Sequence, residues 1–434
     1  MTPSEYIASI KADEPTATVE ESSLPDRVKT QWVESGQDIT DLLGSINQSD
    51  WAEHLLDHIK PRAHPALVSL LDSDFIAIGT IGNPSPNAYV KKLDTGYAIV
   101  FHAGLRDFIY RIARIIATRF RPSDTEDEPT GDDIQETARL IAEVFWWFQE
   151  TGRAFGPQYQ IDENRTHIAN LLAIEAEAFL IAHEIGHIIV DGIDSASQHL
   201  LDFPDELSPS HRDEFTADLL GLQLVLELHN EKAKRDACRT PFQYAGVEFA
   251  LQIYRGLEEL GFDFHDSHPA AGSRIGIIRS EMQRRCADDS SWDSLFGLAG
   301  AIDSMFTQLI HIITEPGEHT EFFERAANSI VLDLNQALDR CTGGMIPNYT
   351  EFYRLAAEIF GRGYSHIMLQ RVAQVAADFF ADVRSTDNGN LKPDHASWVR
   401  FQKFKLLYGY IHQYLNEPAR RIFIEAFESH QHKC

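Results

Sequence analysis

Within one apolar stretch of the chain lies His183-Glu184-Ile185-Gly186-His187. Histidines at i and i+4 of a helix stand on one face about one turn apart, so both imidazoles can reach one tetrahedral Zn2+. The glutamate between them falls beside the ion rather than on it. There it can take a proton from water and hand it to a leaving amine. The bland alternative is a pair of histidines on a helix surface. The neighbours Phe179, Leu180, Ile181, Ile188, Ile189 and Val190 are apolar, however, so this helix is expected to be buried. Two core histidines and a glutamate are costly without a partner. The chemistry implied is metal-assisted hydrolysis, with His183 and His187 as ligands and Glu184 as general base.

A catalytic zinc keeps three protein ligands and one open position. Downstream, His211-Arg212-Asp213-Glu214-Phe215-Thr216-Ala217-Asp218 opens another helix, with Glu214 and Asp218 at i and i+4. The first carboxylate can bind zinc. The second can accept the other N–H of a ligand histidine and fix its tautomer. Acidic residues also suit the first turn of any helix. That explains Asp213 and Glu214 but not Asp218, which sits among Phe215, Ala217, Leu219 and Leu220. Asp191, His199 and His211 are rival third ligands. A further cluster runs from Asp266 through Ser267, His268 and Pro269 to Arg274. It reads as a loop ending where Pro269 starts a helix. A histidine there can donate to an oxyanion, and Arg274 can pair with Asp218 or Glu214; a capped surface helix with an exposed histidine would read the same.

These residues need elements to hold them. Periodicity gives long helices over 164–191 and 213–230, with 191–210 as loop. Upstream, 74–82, 87–93 and 97–102 read as strands around an Asp94-Thr95-Gly96 turn. Helices follow over 105–116 and 134–151. Residues 1–25 are expected to form a loose arm, 28–71 to be helical, and the chain after Trp292 to be almost continuously helical, with turns near 343–347 and 387–393. The organisation expected is an N-terminal helical region (1–73), a catalytic domain (74–289) and a C-terminal helical domain (290–434).

Composition narrows the class. The 434 residues are 43% hydrophobic and 24% charged, ordinary for a globular protein. The net charge of −28 opposes binding to nucleic acid or anionic lipid. Cys238, Cys286, Cys341 and Cys434 form no CxxC pair, so no cysteine zinc site is visible. No uncharged apolar run reaches membrane-spanning length, since the nearest, 295–314, contains Asp303. The expectation is a soluble, cytoplasmic protein with no membrane insertion.

The ordered set of HExxH, Glu214-x-x-Ala217-Asp218 and Ser267-His268-Pro269 to Arg274-Ile275 resembles the gluzincin metallopeptidases related to HtpX and the CAAX prenyl endopeptidase. Asn87-Ala88-Tyr89 and the Tyr97–Leu105 stretch are similar to that family's Asn-Ala-Phe strand and its Val-rich strand ending in Gly-Leu. The resemblance covers about residues 74 to 285. It implies an α+β, mostly helical fold with a zincin-like catalytic domain and a small sheet. It also implies Zn2+ on His183, His187 and Glu214, Glu184 as base, and His268 near the oxyanion. Asp218 and Arg274 would support the ligands, and Asn87, Ala88 and Tyr89 would hold a peptide substrate by strand addition. Most members of that family have membrane-spanning segments or a secretion signal, and neither is visible here, so a prenyl-protein substrate is not implied. The function expected is a soluble zinc endopeptidase acting on protein or peptide, with a regulatory partner on its helical flanks. Two alternatives are a binding protein whose metallopeptidase site is occluded, and a defence- or toxin-type protease with a single target.

Overall fold

The computed structural model describes residues 1–13, 29, 51–120, 131–154, 161–192, 208–228, 240–261, 268–286, 292–314, 320–342, 347–360, 366–386, 395–415 and 417–431. The helical pattern expected through Trp32, Ile39 and Ile46, the loop at 193–207 with His199, the residues Asp266 and Ser267, and both C-terminal turns lie outside them, apart from Pro347. The described chain is mostly helical with one three-stranded sheet.

The chain divides into two compact units. The first comprises Met1–Phe145, Arg153–Glu258 and Phe264–His311. It opens with α1 (Pro3–Asp13), where a loose arm was expected. The reason lies in Ile7, which is buried against Gly79, where any side chain would meet Ile7 Cγ2 at 2.4 Å. Helix α2 (Trp51–Ile59), a short 3-10 turn (Lys60–Arg62) and α3 (Pro65–Asp72) lead to the sheet.

Strands β1 (Ile76–Ile81), β2 (Ala88–Leu93) and β3 (Gly96–His102) follow the expected positions. The order is β1-β3-β2, with β1 parallel and β2 antiparallel to β3. Central β3 is buried along its whole length, which accounts for its unbroken apolar run Tyr97–Phe101. Strand β2 is a sheet edge and is more exposed, as Lys91 and Lys92 require. Helices α4 (Ala103–Ala117) and α5 (Gly131–Thr151) follow.

Helix α6 (Glu163–Gly192) carries the HExxH motif and is apolar around most of its circumference, so it is buried on several sides. Helix α7 (Pro209–Val225) starts earlier and ends earlier than its periodicity suggested. Its start is set by Ser208, whose side chain accepts the His211 N–H, with Pro209 in the first turn. Its end is set by Glu227 at φ 54°, followed by a Leu228 N–H to Gln223 C=O bond of 2.9 Å. Helices α8 (Thr240–Glu259) and α9 (Ala271–Cys286) complete the frame of the site.

Helix α10 (Trp292–Thr314) contains a segment, Leu295–Thr314, long and apolar enough to cross a membrane. In this structure Ile302, Phe306 and Leu309 are buried, and Asp303 accepts from Gln252 at 2.6 Å and pairs with Arg279 at 3.2 Å. The second unit comprises Trp146–Gly152, Glu259–Asp263 and Ile312–Cys434. Its helices are α11 (Thr320–Thr342), α12 (Tyr349–Phe360), α13 (His366–Thr386), α14 (His395–Tyr414) and α15 (Glu417–Gln431). They share a core that includes Leu338, Phe352, Val372, Leu406 and Phe423.

Candidate active site

Three helices approach one another unusually closely here. A Cβ on Gly186 would lie 2.8 Å from Ala217 Cα and O on α7. A Cβ on Gly221 of α7 would lie 3.1 Å from His183 N. A third, on Gly246 of α8, would lie 2.7 Å from Glu175 Cβ on α6. Because these positions carry no side chain, α7 and α8 settle onto the backbone of α6. Glu214 and Asp218 are thereby brought over His183 and His187. About two turns beyond Gly246, α8 presents Tyr254.

His183, His187 and Glu214 converge. His183 Nε2 lies 3.1 Å from His187 Nε2 and 3.5 Å from Glu214 Oε2, and His187 Nε2 lies 3.2 Å from Glu214 Oε1. A tetrahedral ion with bonds of about 2.0–2.1 Å spaces its ligand atoms roughly 3.3–3.4 Å apart. Among the described residues this is the group of histidine and carboxylate atoms that could hold a metal. Glu214 Oε2 is buried without a hydrogen-bond partner, a cost that a cation between it and the imidazoles would remove. The donor set of two imidazoles and a carboxylate fits such an ion.

The surroundings orient these ligands. Asp218, fully buried, lies 2.9 Å from His183 Nδ1 through Oδ1. With that nitrogen donating, Nε2 keeps its lone pair toward Glu214 and His187. Arg274 grips Asp218 with two bonds, Nε to Oδ2 at 2.8 Å and Nη2 to Oδ1 at 2.6 Å. Burial alone would lower the His183 pKa, but Asp218 and Glu214 outweigh it and push it up to about 9. Burial would raise the Glu214 carboxyl, yet His183, His187 and Arg274 hold it well below the usual carboxylate range. Burial acts the same way on Asp218 and is overcome by Arg274 and His183. Both carboxylates are thus held ionised beside the imidazoles, a setting that favours a positive charge there.

A cleft opens beside this point. From α6 it is lined by Leu180, His183 and Glu184. Asn87 and Ala88 line it at the sheet edge. The remaining wall carries Tyr254 and Glu258 of α8, with His268 and Arg274. Burial raises the Glu184 carboxyl, against the pull of His183 and His187. His268 has its Nε2 3.2 Å from Glu214 Oε1, and burial lowers its pKa. At the edge, Asn87 C=O accepts the His102 N–H at 3.0 Å, and Asn87 Oδ1 accepts the Ala88 N–H at 2.9 Å. Tyr89 meets His102 edge-on, with ring centroids 6.0 Å apart.

The structure therefore brings His183, Glu184, His187, Glu214, Asp218, His268, Arg274, Asn87 and Ala88 to one place, with Tyr89 next to it on β2. The rival Asp191 is used elsewhere: it accepts from Lys92 Nζ at 2.6 Å and from Tyr97 Oη at 2.5 Å, tying the end of α6 to the sheet. His211 stands in the first turn of α7, its N–H on Ser208. Tyr254 and Glu258 escaped the sequence reading. In a single helix they read as a core aromatic and a surface acid, and only the close approach of α8 to α6 brings them into the cleft. Also unforeseen was the buried Arg62–Glu175 pair, 2.7 and 2.8 Å through two nitrogens, which holds the turn after α2 to α6.

Residues 112–295 match the family described as Peptidase U49. The matched stretch holds both histidines of the HExxH motif, Glu214, Asp218, Tyr254 and Arg274, while the three strands lie before it. No curated protein and no solved structure matches the chain. The segment that builds the site is thus similar to a peptidase family, which supports a peptidase acting on protein or peptide.

Proposed function

We propose that the protein is a zinc-dependent endopeptidase of the gluzincin type, close in motif order to the HtpX and CAAX prenyl endopeptidase group. The observation that carries the reading is the meeting of His183, His187 and Glu214 within hydrogen-bonding distance, beside the buried Glu184 and an open cleft. His183, His187 and Glu214 would hold the ion. When bound, zinc supplies Lewis acidity to the scissile carbonyl and to a water molecule.

The chain's own residues do the rest. Glu184, its carboxyl raised by burial, takes a proton from the attacking water and delivers it to the leaving amine. Asp218 holds His183 in one tautomer, and Arg274 holds Asp218. The β2 edge offers backbone groups to an extended peptide, with Asn87 and Ala88 nearest the cleft. The side chains of His187 and His268 remain 25% and 36% exposed, so the cleft is reachable and an occluded binding protein is disfavoured. We read α10 as a core helix and the protein as cytoplasmic, with no role in nucleic-acid binding. A regulatory partner acting on the helical regions belongs to the same proposal. It is tested by whether the purified protein cuts substrate with no other protein added.

The test of the main reading is direct. Elemental analysis should find one zinc per chain, absent from His183→Ala. Comparison of new protein termini in cells expressing wild type or Glu184→Gln should show cuts only with wild type. Full zinc occupancy in His183→Ala, or identical termini with Glu184→Gln, would refute it.

A further inference from the structure

We propose that Lys91 is a specificity-determining residue, its ammonium selecting peptides that carry Asp or Glu a few residues before the cut. The proposal rests on the peptidase reading above and names a substrate class for the same site: peptides acidic on the N-terminal side of the scissile bond.

The ladder of β2 decides which of its residues can meet a peptide. The His102 N–H donates to Asn87 C=O at 3.0 Å, and the register pairs Tyr89 with Val100, Lys91 with Ala98 and Leu93 with Gly96. In an antiparallel pair the hydrogen-bonded positions recur at every second residue. Asn87, Tyr89, Lys91 and Leu93 therefore turn their backbone groups to β3, and Ala88, Val90 and Lys92 turn theirs to the open edge. The Ala88 N–H is taken by Asn87 Oδ1. Val90 and Lys92 are left to bond an added strand. An antiparallel partner is the more stable one. It would bond to Val90 and Lys92 and face Lys91 at the position between, where no backbone bond forms. At such a position the two Cα atoms stand about 4.5 Å apart and the side chains come closest.

The two lysines offer different things there. Side chains alternate across a strand. Lys92 shares a face with Ala88 and Val90, the face toward α6, where its Nζ is bound to Asp191 at 2.6 Å. Lys91 stands on the opposite face with Tyr89. It is exposed and, among the described residues, belongs to no ion pair. In a chain of net charge −28 an ammonium without a carboxylate is conspicuous. Directly across from a substrate side chain, it favours Asp or Glu and opposes Lys or Arg. Edge lysines also discourage unwanted strand pairing, a duty that sets no charge requirement on the substrate.

Direction follows from the same geometry. Ala88 lines the cleft with Glu184, and Lys92 reaches Asp191 about two turns further along α6. Strand β2 thus leads away from the reacting point toward the end of α6. An antiparallel peptide runs the other way, passing Lys92, then Lys91, before it arrives at Ala88. Its residue opposite Lys91 therefore lies N-terminal to the scissile bond, by about three or four positions. The residue before that one faces Lys92, whose charge Asp191 already neutralises, and should show no charge preference. One acid-selecting position beside an indifferent one is the signature of this arrangement.

The test uses full-length, zinc-loaded wild type, Lys91→Gln, Lys91→Glu and Glu184→Gln. Each digests a peptide library made from a denatured proteome, and the cuts are read by mass spectrometry. Cuts absent with Glu184→Gln define the specific set. Wild type should enrich Asp and Glu about two- to fivefold at one position N-terminal to the cut, the range expected of one cross-strand ion pair. The enrichment should shrink as salt is raised, because the pair is exposed. Lys91→Gln should lose it while keeping zinc and melting temperature, and Lys91→Glu should replace it with Lys and Arg at the same position. Identical preferences with Lys, Gln or Glu at this site overturn the proposal and leave Lys91 as a guard of the edge. An acidic preference that lies C-terminal to the cut overturns it too. A wild type that cuts no more than Glu184→Gln overturns the peptidase reading and the proposal together.

Discussion

At the scale of the residue, the loss of each polar group at the site has a distinct signature. Glu214 offers its oxygens to the two imidazoles, so Glu214→Ala should abolish tight zinc binding. Asp218 acts one step away. Asp218→Asn should lower zinc affinity by on the order of 10–100-fold, the usual cost of a lost supporting carboxylate. Asp218→Ala should also cost stability, about 3–5 kcal/mol, because the buried Arg274 loses its carboxylate. Competition against a chelating dye and urea denaturation separate the two effects. Zinc bound normally by Glu214→Ala would move the ligand role to another residue. Another buried acid on α6, Glu177, makes a pH prediction. Burial pushes its pKa up to about 8, against the pull of Arg106. In the unfolded chain a glutamate titrates near about 4.3, so as pH rises the unfolded state loses this proton first. Stability is therefore lost from about pH 4.3 up to about 8, at up to roughly 1.4 kcal/mol per unit. Glu177→Gln removes the loss. Its stability relative to wild type should be flat below pH 4 and rise by a few kcal/mol by pH 8. A difference that does not change with pH would show that Glu177 is ionised in the folded protein.

At the scale of the element, the site depends on how closely α6, α7 and α8 approach. Gly186 lies inside the motif itself, between Glu184 and His187, and Ala217 lies directly against it. Gly186→Ala adds a methyl where the backbone of α7 stands 2.8 Å away, and backbone cannot yield as a side-chain tip can. We expect the helices to part, carrying Glu214 away from the histidines. Overpacking of this kind costs about 1–3 kcal/mol. The zinc affinity should fall further than the stability does, since ligand geometry tolerates less displacement than folding does. Helical content by circular dichroism should be unchanged. An alanine variant that holds zinc as tightly as wild type would mean that the contact is softer than the structure suggests. The sheet contributes through its asymmetry. Strand β3 is buried throughout, and β2 is left as an edge beside the cleft with its lysines outward.

At the scale of the whole molecule, the two compact units each have their own core. Helix α10 shows which side the boundary favours for most of its length. Phe306 packs on Phe249 of α8, 6.2 Å between centroids, and Asp303 reaches Gln252 and Arg279. Truncation of Phe306 to Ala should therefore cost about 3–5 kcal/mol in the unit that carries the site. Phe352→Ala, in the core of the second unit, should cost a similar amount there and leave zinc affinity alone. Scanning calorimetry should resolve two transitions, with each variant lowering one of them. A single transition lowered equally by both would show that the units unfold together.

The contrast between what was legible and what was not follows from the range of the interactions. Whatever depends on spacing within one helix or strand was determined by the sequence alone. A helix turns once in about 3.6 residues, so His183 and His187 had to share a face, Glu184 had to stand beside it, and Asp218 had to follow Glu214. The alternation and turn residues around Asp94 and Gly96 defined the hairpin for the same local reason. Contacts between elements carry no such signature. The spacing of Glu214 to Asp218 favoured Glu214 as third ligand, with Asp191, His199 and His211 as rivals. What brings Glu214 to the histidines is the pair of glycines at 186 and 221 that let α7 meet α6, while Asp191 pairs with Lys92 and Tyr97. The same is true of Arg274, which pairs with Asp218 across 56 positions of sequence. Tyr254 and Glu258 are extreme cases, ordinary members of an apolar helix until Gly246 brings α8 against α6 and turns them to the cleft. Periodicity is a property of the chain, whereas proximity is a property of the packing, and packing depends on residues far apart that fit one another only in the folded state.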